Sequence, residues 1–177
     1  MNSPDYSSKK LVQQKGMGLF ELVTVVVIIS ILMIYAIDRM QNLFLNMEKV
    51  SVLRVIGSLN SAINLQAAER VVEQGIEGIK TLENSNPMDF LSQVPHSYIG
   101  LISDQQVEQL PASSWYFDND KKILGYIVNN KQHFDTALKG VPRARFKVTL
   151  LYSETAPGGG EKIQGIALTN LDEYRWK

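Results

Sequence analysis

The feature that most constrains this chain is one carboxylate, Glu21, at the head of an apolar run from Leu22 to Ile37 that no other charge interrupts. As a helix, Met17 to Ile37 spans roughly 31 Å at 1.5 Å per residue, about the thickness of a bilayer's hydrocarbon core. Residues 17–37 are therefore read as a hydrophobic membrane and assembly helix. Lys9, Lys10 and Lys15 precede it against a single acid, Asp5. The positive-inside rule then keeps residues 1–16 in the cytoplasm and exports everything after Asp38. A charge at the centre of an inserting helix costs about 2.5–3.5 kcal/mol, and less near an end, so Glu21 predicts a partner. A cut between Gly16 and Met17 would supply one, by creating an α-amino group four residues before Glu21 that the carboxylate of a neighbouring copy can meet.

Lys15, Gly16, Met17 and Glu21, with the basic leader and the apolar run behind them, resemble the prepilin signature of type IV pilins and of the pseudopilins of type II secretion. The resemblance implies a leader over residues 1–16, cleavage after Gly16 by a membrane-embedded prepilin peptidase and N-methylation of Met17. It also implies that Glu21 neutralises the N-terminus of the adjacent subunit during assembly. Two residues depart from the pattern: Gly18 is unusual as a second mature residue, and Asp38 stands where many pilins carry a helix-kinking proline. A plain single-pass anchor or an uncleaved signal needs only the basic flank and the apolar run, and gains nothing from Glu21. A secretory signal peptide fits less well, because its small-x-small cleavage pattern is absent around Tyr35, Ala36 and Ile37.

Beyond Asp38 the apolar residues keep a helical period through Met47, Val52, Val55, Leu59, Ile63 and Ala67. Residues 38–78 are read as the outer, amphipathic half of one helix that continues to around Val72, with Gly75 and Gly78 as its stop. Its polar positions, Glu48, Lys49, Arg54 and Asn64 among them, are expected to face solvent or neighbouring subunits. Residues 79–177 form the head. A connecting region with Pro87, Pro95, Gly100 and Pro111 as breakers holds a short helix near Met88 to Val94, started at Ser85 or Asn86. Four antiparallel strands follow: a hairpin of Ser114–Phe117 and Ile123–Val128, then Arg145–Tyr152, then Ile163–Leu168 after a turn at Pro157–Gly160. The predicted class is α+β, a long helix packed on a four-stranded antiparallel sheet, which the resemblance identifies as a pilin fold. Ser58–Ala68, Trp115–Asp118, Leu124–Val128 and Tyr174–Trp176 are similar to the corresponding parts of minor pilins of the mannose-sensitive haemagglutinin (MSHA) type.

The chain has 18 basic and 18 acidic residues, without the basic footprint of a nucleic-acid binder. It has no cysteine, so an exported head must hold by packing rather than by a disulfide loop. His96 and His133 lack the neighbours of a zinc site. Asp118, Asn119 and Asp120 offer oxygens for calcium, but Asn and Asp favour turns for local reasons, and no EF-hand spacing follows. Lys139, Arg143, Arg145 and Lys147 read as a solvated strand edge rather than a phosphate patch. Pro157–Gly160 lacks the Lys-Ser or Lys-Thr of a phosphate loop.

No catalytic, cofactor or metal residue emerges, and the chain reads as the substrate of an enzyme rather than an enzyme. The expected function is a structural minor pilin of an MSHA-like type IV pilus that supports adhesion or pilus biogenesis. Its expected partners are other pilin subunits, the prepilin peptidase, membrane lipid before assembly, and an inner-membrane platform driven by a cytoplasmic ATPase. A type II secretion pseudopilin and a single-pass anchored periplasmic binding domain are the alternatives.

Overall fold

The computed structural model describes residues 18–153 and 162–176. Gly16, Met17 and the leader lie outside the described residues, as does the turn expected at Pro157–Gly160. The chain divides into two compact units, residues 1–42 and 43–177. Helix α1 covers Leu19–Gln74, close to the expected span. It ends where a helix should, at Gly75, whose φ of 73° suits a residue without Cβ and whose N–H still bonds the carbonyl of Val71.

In the second unit the fold is α+β, but the sheet is larger than the sequence predicts. Strands β1 (Tyr98–Ile102), β2 (Ser114–Asp118), β3 (Ile123–Ile127), β5 (Arg143–Ser153) and β6 (Lys162–Asn170) form one sheet in the order β1-β2-β3-β5-β6. The four expected strands are β2, β3, β5 and β6, paired antiparallel in chain order. The sheet is nevertheless mixed, because β1 joins β2 in parallel at one edge. Two three-residue strands, β4 (Phe134–Thr136) and β7 (Tyr174–Trp176), make a second sheet. The short helix expected near Met88 is a 3-10 turn, Pro87–Phe90, capped by the Asn86 side chain, which accepts from Met88 N at 3.2 Å.

Alternation along the strands sends side chains to two faces. One face packs on α1: Val52 and Leu59 cluster with Trp115, Phe117, Leu124, Tyr126 and Phe146. Further along, Ile63 and Ala67 meet Val148, Leu150, Ile163 and Ile166. β2 is buried on both sides, since Tyr116 and Ile127 are covered from the opposite face by Val107, with Leu110 and Val141 beside them. Tyr116 lies across Gly125, its register partner; a Cβ there would sit 2.1 Å from the ring, so only glycine fits. Phe134, Tyr174 and Trp176 close one end of the core, with ring centroids 5.3 and 4.9 Å from Phe134.

Candidate functional site

The first unit presents an apolar helix, Leu19–Met40, long enough to cross a bilayer and nowhere buried by the rest of the protein. Two of its hydroxyls are satisfied within the helix, as a lipid environment favours. Thr24 Oγ1 donates to the Phe20 carbonyl at 2.9 Å, and Ser30 Oγ donates to Val26 at 2.7 Å. At the far end the Arg39 guanidinium lies 5.8 Å from the centre of the Tyr35 ring, a cation and an aromatic suited to the depth of lipid headgroups. Glu21 stands in the first turn, where the exposed N–H groups of a helix favour a negative charge. The Gly18 carbonyl caps that turn, accepting from Glu21 N at 2.9 Å and Leu22 N at 3.1 Å. The Glu21 side chain is exposed on this helix, so it is available to a group from another molecule.

In the second unit α1 carries a carboxylate that the sequence reading places in solvent and the structure does not. Glu48 sits one turn before Val52, on the stripe that packs against the sheet, and is half-buried. Its Oε1 accepts from Tyr126 Oη at 3.1 Å and Asn129 N at 2.8 Å. Its Oε2 accepts from Asn130 N at 3.1 Å and Asn130 Nδ2 at 2.7 Å. One side chain thereby clasps the helix to β3 and to the loop after it. Burial, and next the Glu48 charge, push the Tyr126 phenol well above its ordinary value, which keeps it protonated as a donor.

Other charged residues have structural uses. Asp118 is buried and accepts from Asp120 N at 2.9 Å and Lys121 N at 3.0 Å, so its carboxylate shapes the β2–β3 turn. β5 is an interior strand, between β3 and β6, so edge protection does not explain its basic residues. They occupy the face away from α1, alternating with buried Ala144, Phe146 and Val148. Arg145 grips Asp172 through two bonds of 2.7 Å, which hold the Asp172 carboxyl below its ordinary range. Arg143 donates to the Val141 carbonyl at 3.1 Å. His96 and His133 are exposed. Among the described residues no group of three or more His, Asp or Glu side chains is placed to hold a metal ion.

No family model, no curated protein and no solved structure matches the chain.

Proposed function

We propose that this chain is a structural subunit of a surface fibre of the type IV pilus class, most like an MSHA-type minor pilin. It is made as a single-pass inner-membrane protein with residues 1–16 in the cytoplasm and the head in the periplasm. Prepilin peptidase cuts after Gly16 and the new N-terminus at Met17 is methylated. Cytoplasmic ATPase action through an inner-membrane platform then moves the subunit from lipid into a stack of other pilin subunits. The chain itself performs no catalysis.

The observation that carries this reading is Glu21, an exposed carboxylate in the first turn of an exposed, membrane-length helix. An anchor has no need of that charge, whereas a fibre subunit uses it to meet the amine of the next copy. The outer part of the same helix packs on an antiparallel run of four strands, which is the arrangement a pilin head requires.

The test is the intact mass and N-terminal sequence of the protein recovered from native membranes of a host that contains a prepilin peptidase. A chain that starts at methylated Met17 is the expected result. A chain that retains residues 1–16 would overturn the proposal and leave a membrane-anchored domain.

A further inference from the structure

Packing on the sheet uses only one face of the outer part of α1. The opposite face carries Val50, Leu53, Arg54 and Gly57, and then, two turns later, Leu65, Ala68, Glu69 and Val72, all exposed. Large apolar side chains do not normally stand this far into water: Val50 is 62% exposed, Leu65 69% and Val72 88%. The two quartets have the same spacing, i, i+3, i+4 and i+7, which is the repeat by which one helix presents a continuous edge to another.

We propose that this face is a seam between copies of the chain, in which parallel helices are offset by about 15 residues, or ~22 Å, so that Arg54 of one copy meets Glu69 of the next. The inference rests on the fibre-subunit reading for the direction of the helices, because copies anchored through Leu19–Met40 in one membrane run the same way.

At that offset the quartets match in size as well as in charge. Val50 faces Leu65. Leu53 faces Ala68, and Gly57 faces Val72, so in these two pairs a large side chain meets a small one. A Cβ built on Gly57 would have no heavy atom within 4 Å, which leaves a notch in the helix surface for Val72 to fill. Arg54 and Glu69 border the apolar stripe on the same side, each one turn after Val50 or Leu65. Lipid is a poor occupant for a stripe carrying both charges, and an unrelated helix would have to supply a base and an acid at matching positions. This chain supplies both. Since the two quartets are different surfaces, the contact is heterologous, and it continues from copy to copy instead of closing into a dimer.

The absence of cysteine makes the test direct, because introduced thiols are the only ones present. The full chain with Val50→Cys and Leu65→Cys together is expressed in native membranes, oxidised, and resolved without reductant. A ladder of dimers, trimers and larger species is expected from the double variant, and monomer from either single variant. Adding Arg54→Glu should cut cross-linking about fivefold, the scale of a surface ion pair lost and replaced by repulsion. Adding Glu69→Arg as well should restore it, which a general loosening of the fold would not do. An absent ladder overturns the seam. So does a disulfide dimer from Ser61→Cys alone, because Ser61 meets itself in an antiparallel or an in-register pair and not at a 15-residue offset. The N-terminus of the same sample separates the two readings. Retained residues 1–16 overturn the fibre subunit whatever the ladder shows, and a processed chain without a ladder overturns only the seam.

Discussion

Replacing Glu48 with Ala removes the acceptor for four hydrogen bonds, those from Tyr126 Oη, Asn129 N, Asn130 N and Asn130 Nδ2. A hydrogen bond to a charged group contributes about 1.5–3 kcal/mol when buried. Glu48 is only half-buried, however, and water can reach the orphaned donors, so the four together should count for much less than their sum. A loss of roughly 2–3 kcal/mol is expected, which at a urea slope of about 1–3 kcal/mol per M lowers the midpoint by about 0.7–3 M. Glu48→Gln should lose about half as much, because one amide oxygen still accepts while the NH2 group faces donors. The assay is urea unfolding of the full chain in detergent, followed by the fluorescence of its two tryptophans, Trp115, buried in the core that Val52 and Tyr126 share, and Trp176, packed against it. Glu73→Ala, at an exposed position on the same helix, serves as the control. A change below about 0.5 kcal/mol for Glu48→Ala, the ordinary range of a surface substitution, would refute the clasp. A double-mutant cycle with Tyr126→Phe should give a coupling of about 0.5–1.5 kcal/mol.

The clasp also has an alkaline signature. Tyr126 is harder to ionise in the folded chain than at its ordinary value of 10.0, through burial first and the Glu48 charge second. Its contribution is therefore complete below that value and declines as pH rises toward the raised folded one. Without Glu48 the folded value falls. The stability difference between wild type and Glu48→Ala should then be constant below 10.0 and narrow only at more alkaline pH, once the variant's own Tyr126, still raised by burial, begins to ionise in the folded chain; a difference that stays constant through the whole alkaline limb would remove Glu48 from the account of Tyr126.

Three further expectations follow from named contacts. Gly125→Ala should cost about 1–3 kcal/mol or prevent folding, because its Cβ would lie 2.1 Å from the Tyr116 ring, and near-wild-type urea unfolding would contradict the packing described. Arg145 depresses the Asp172 carboxyl, so the pair's contribution is present above the ordinary value of 3.8 and lost as pH falls through the lower folded value; Asp172→Asn should flatten the acid limb of stability against pH, and an unchanged limb would assign it elsewhere. Glu21→Ala should leave urea unfolding of the head within about 0.5 kcal/mol of wild type yet deplete the subunit from sheared fibres, so wild-type amounts in that fraction would deny Glu21 its part in assembly.

The parts of the fold legible in the sequence are those written in local periods. α1 announces itself by its apolar run and then by a 3.6-residue stripe, and it stops at the glycine that permits its final conformation. Strands β2, β3, β5 and β6 alternate or run apolar between turn residues. β1 was hidden because Pro95 and Gly100 mark its neighbourhood as a connector, and its partner is a parallel strand supplied from beyond an irregular segment. β4 and β7 were hidden for a related reason: three residues carry too little pattern, and Phe134 finds Trp176 only through the tertiary fold. Glu48 was misplaced by the rule that charges on a helix face water. The signal that finds it is positional, since Glu48, Val52, Val55 and Leu59 lie on one stripe, and a carboxylate there needs donors from whatever the stripe packs against. In the same way, the reading of basic residues as edge protection on β5 depended on strand order, which local sequence does not carry.

Three glutamates on one helix show how position, rather than residue type, divides stability from assembly. Glu48 has its donors inside the same chain, so its loss should be felt by a lone subunit and should not depend on neighbours. Glu21 and Glu69 lie on surfaces where the proposed partners belong to other copies; in a dilute subunit Glu69 loses only its exposed bond from Gln66 Nε2 at 3.1 Å, a small effect on the order of 0.2–0.5 kcal/mol, and the main loss at both positions should be visible only in the assembled state. These outcomes separate cleanly because a hydrogen bond or ion pair can be lost only where its partner is present. A variant set at these three positions, measured once for unfolding and once for incorporation, therefore distinguishes a helix that merely anchors a domain from one that also carries the contacts of a fibre.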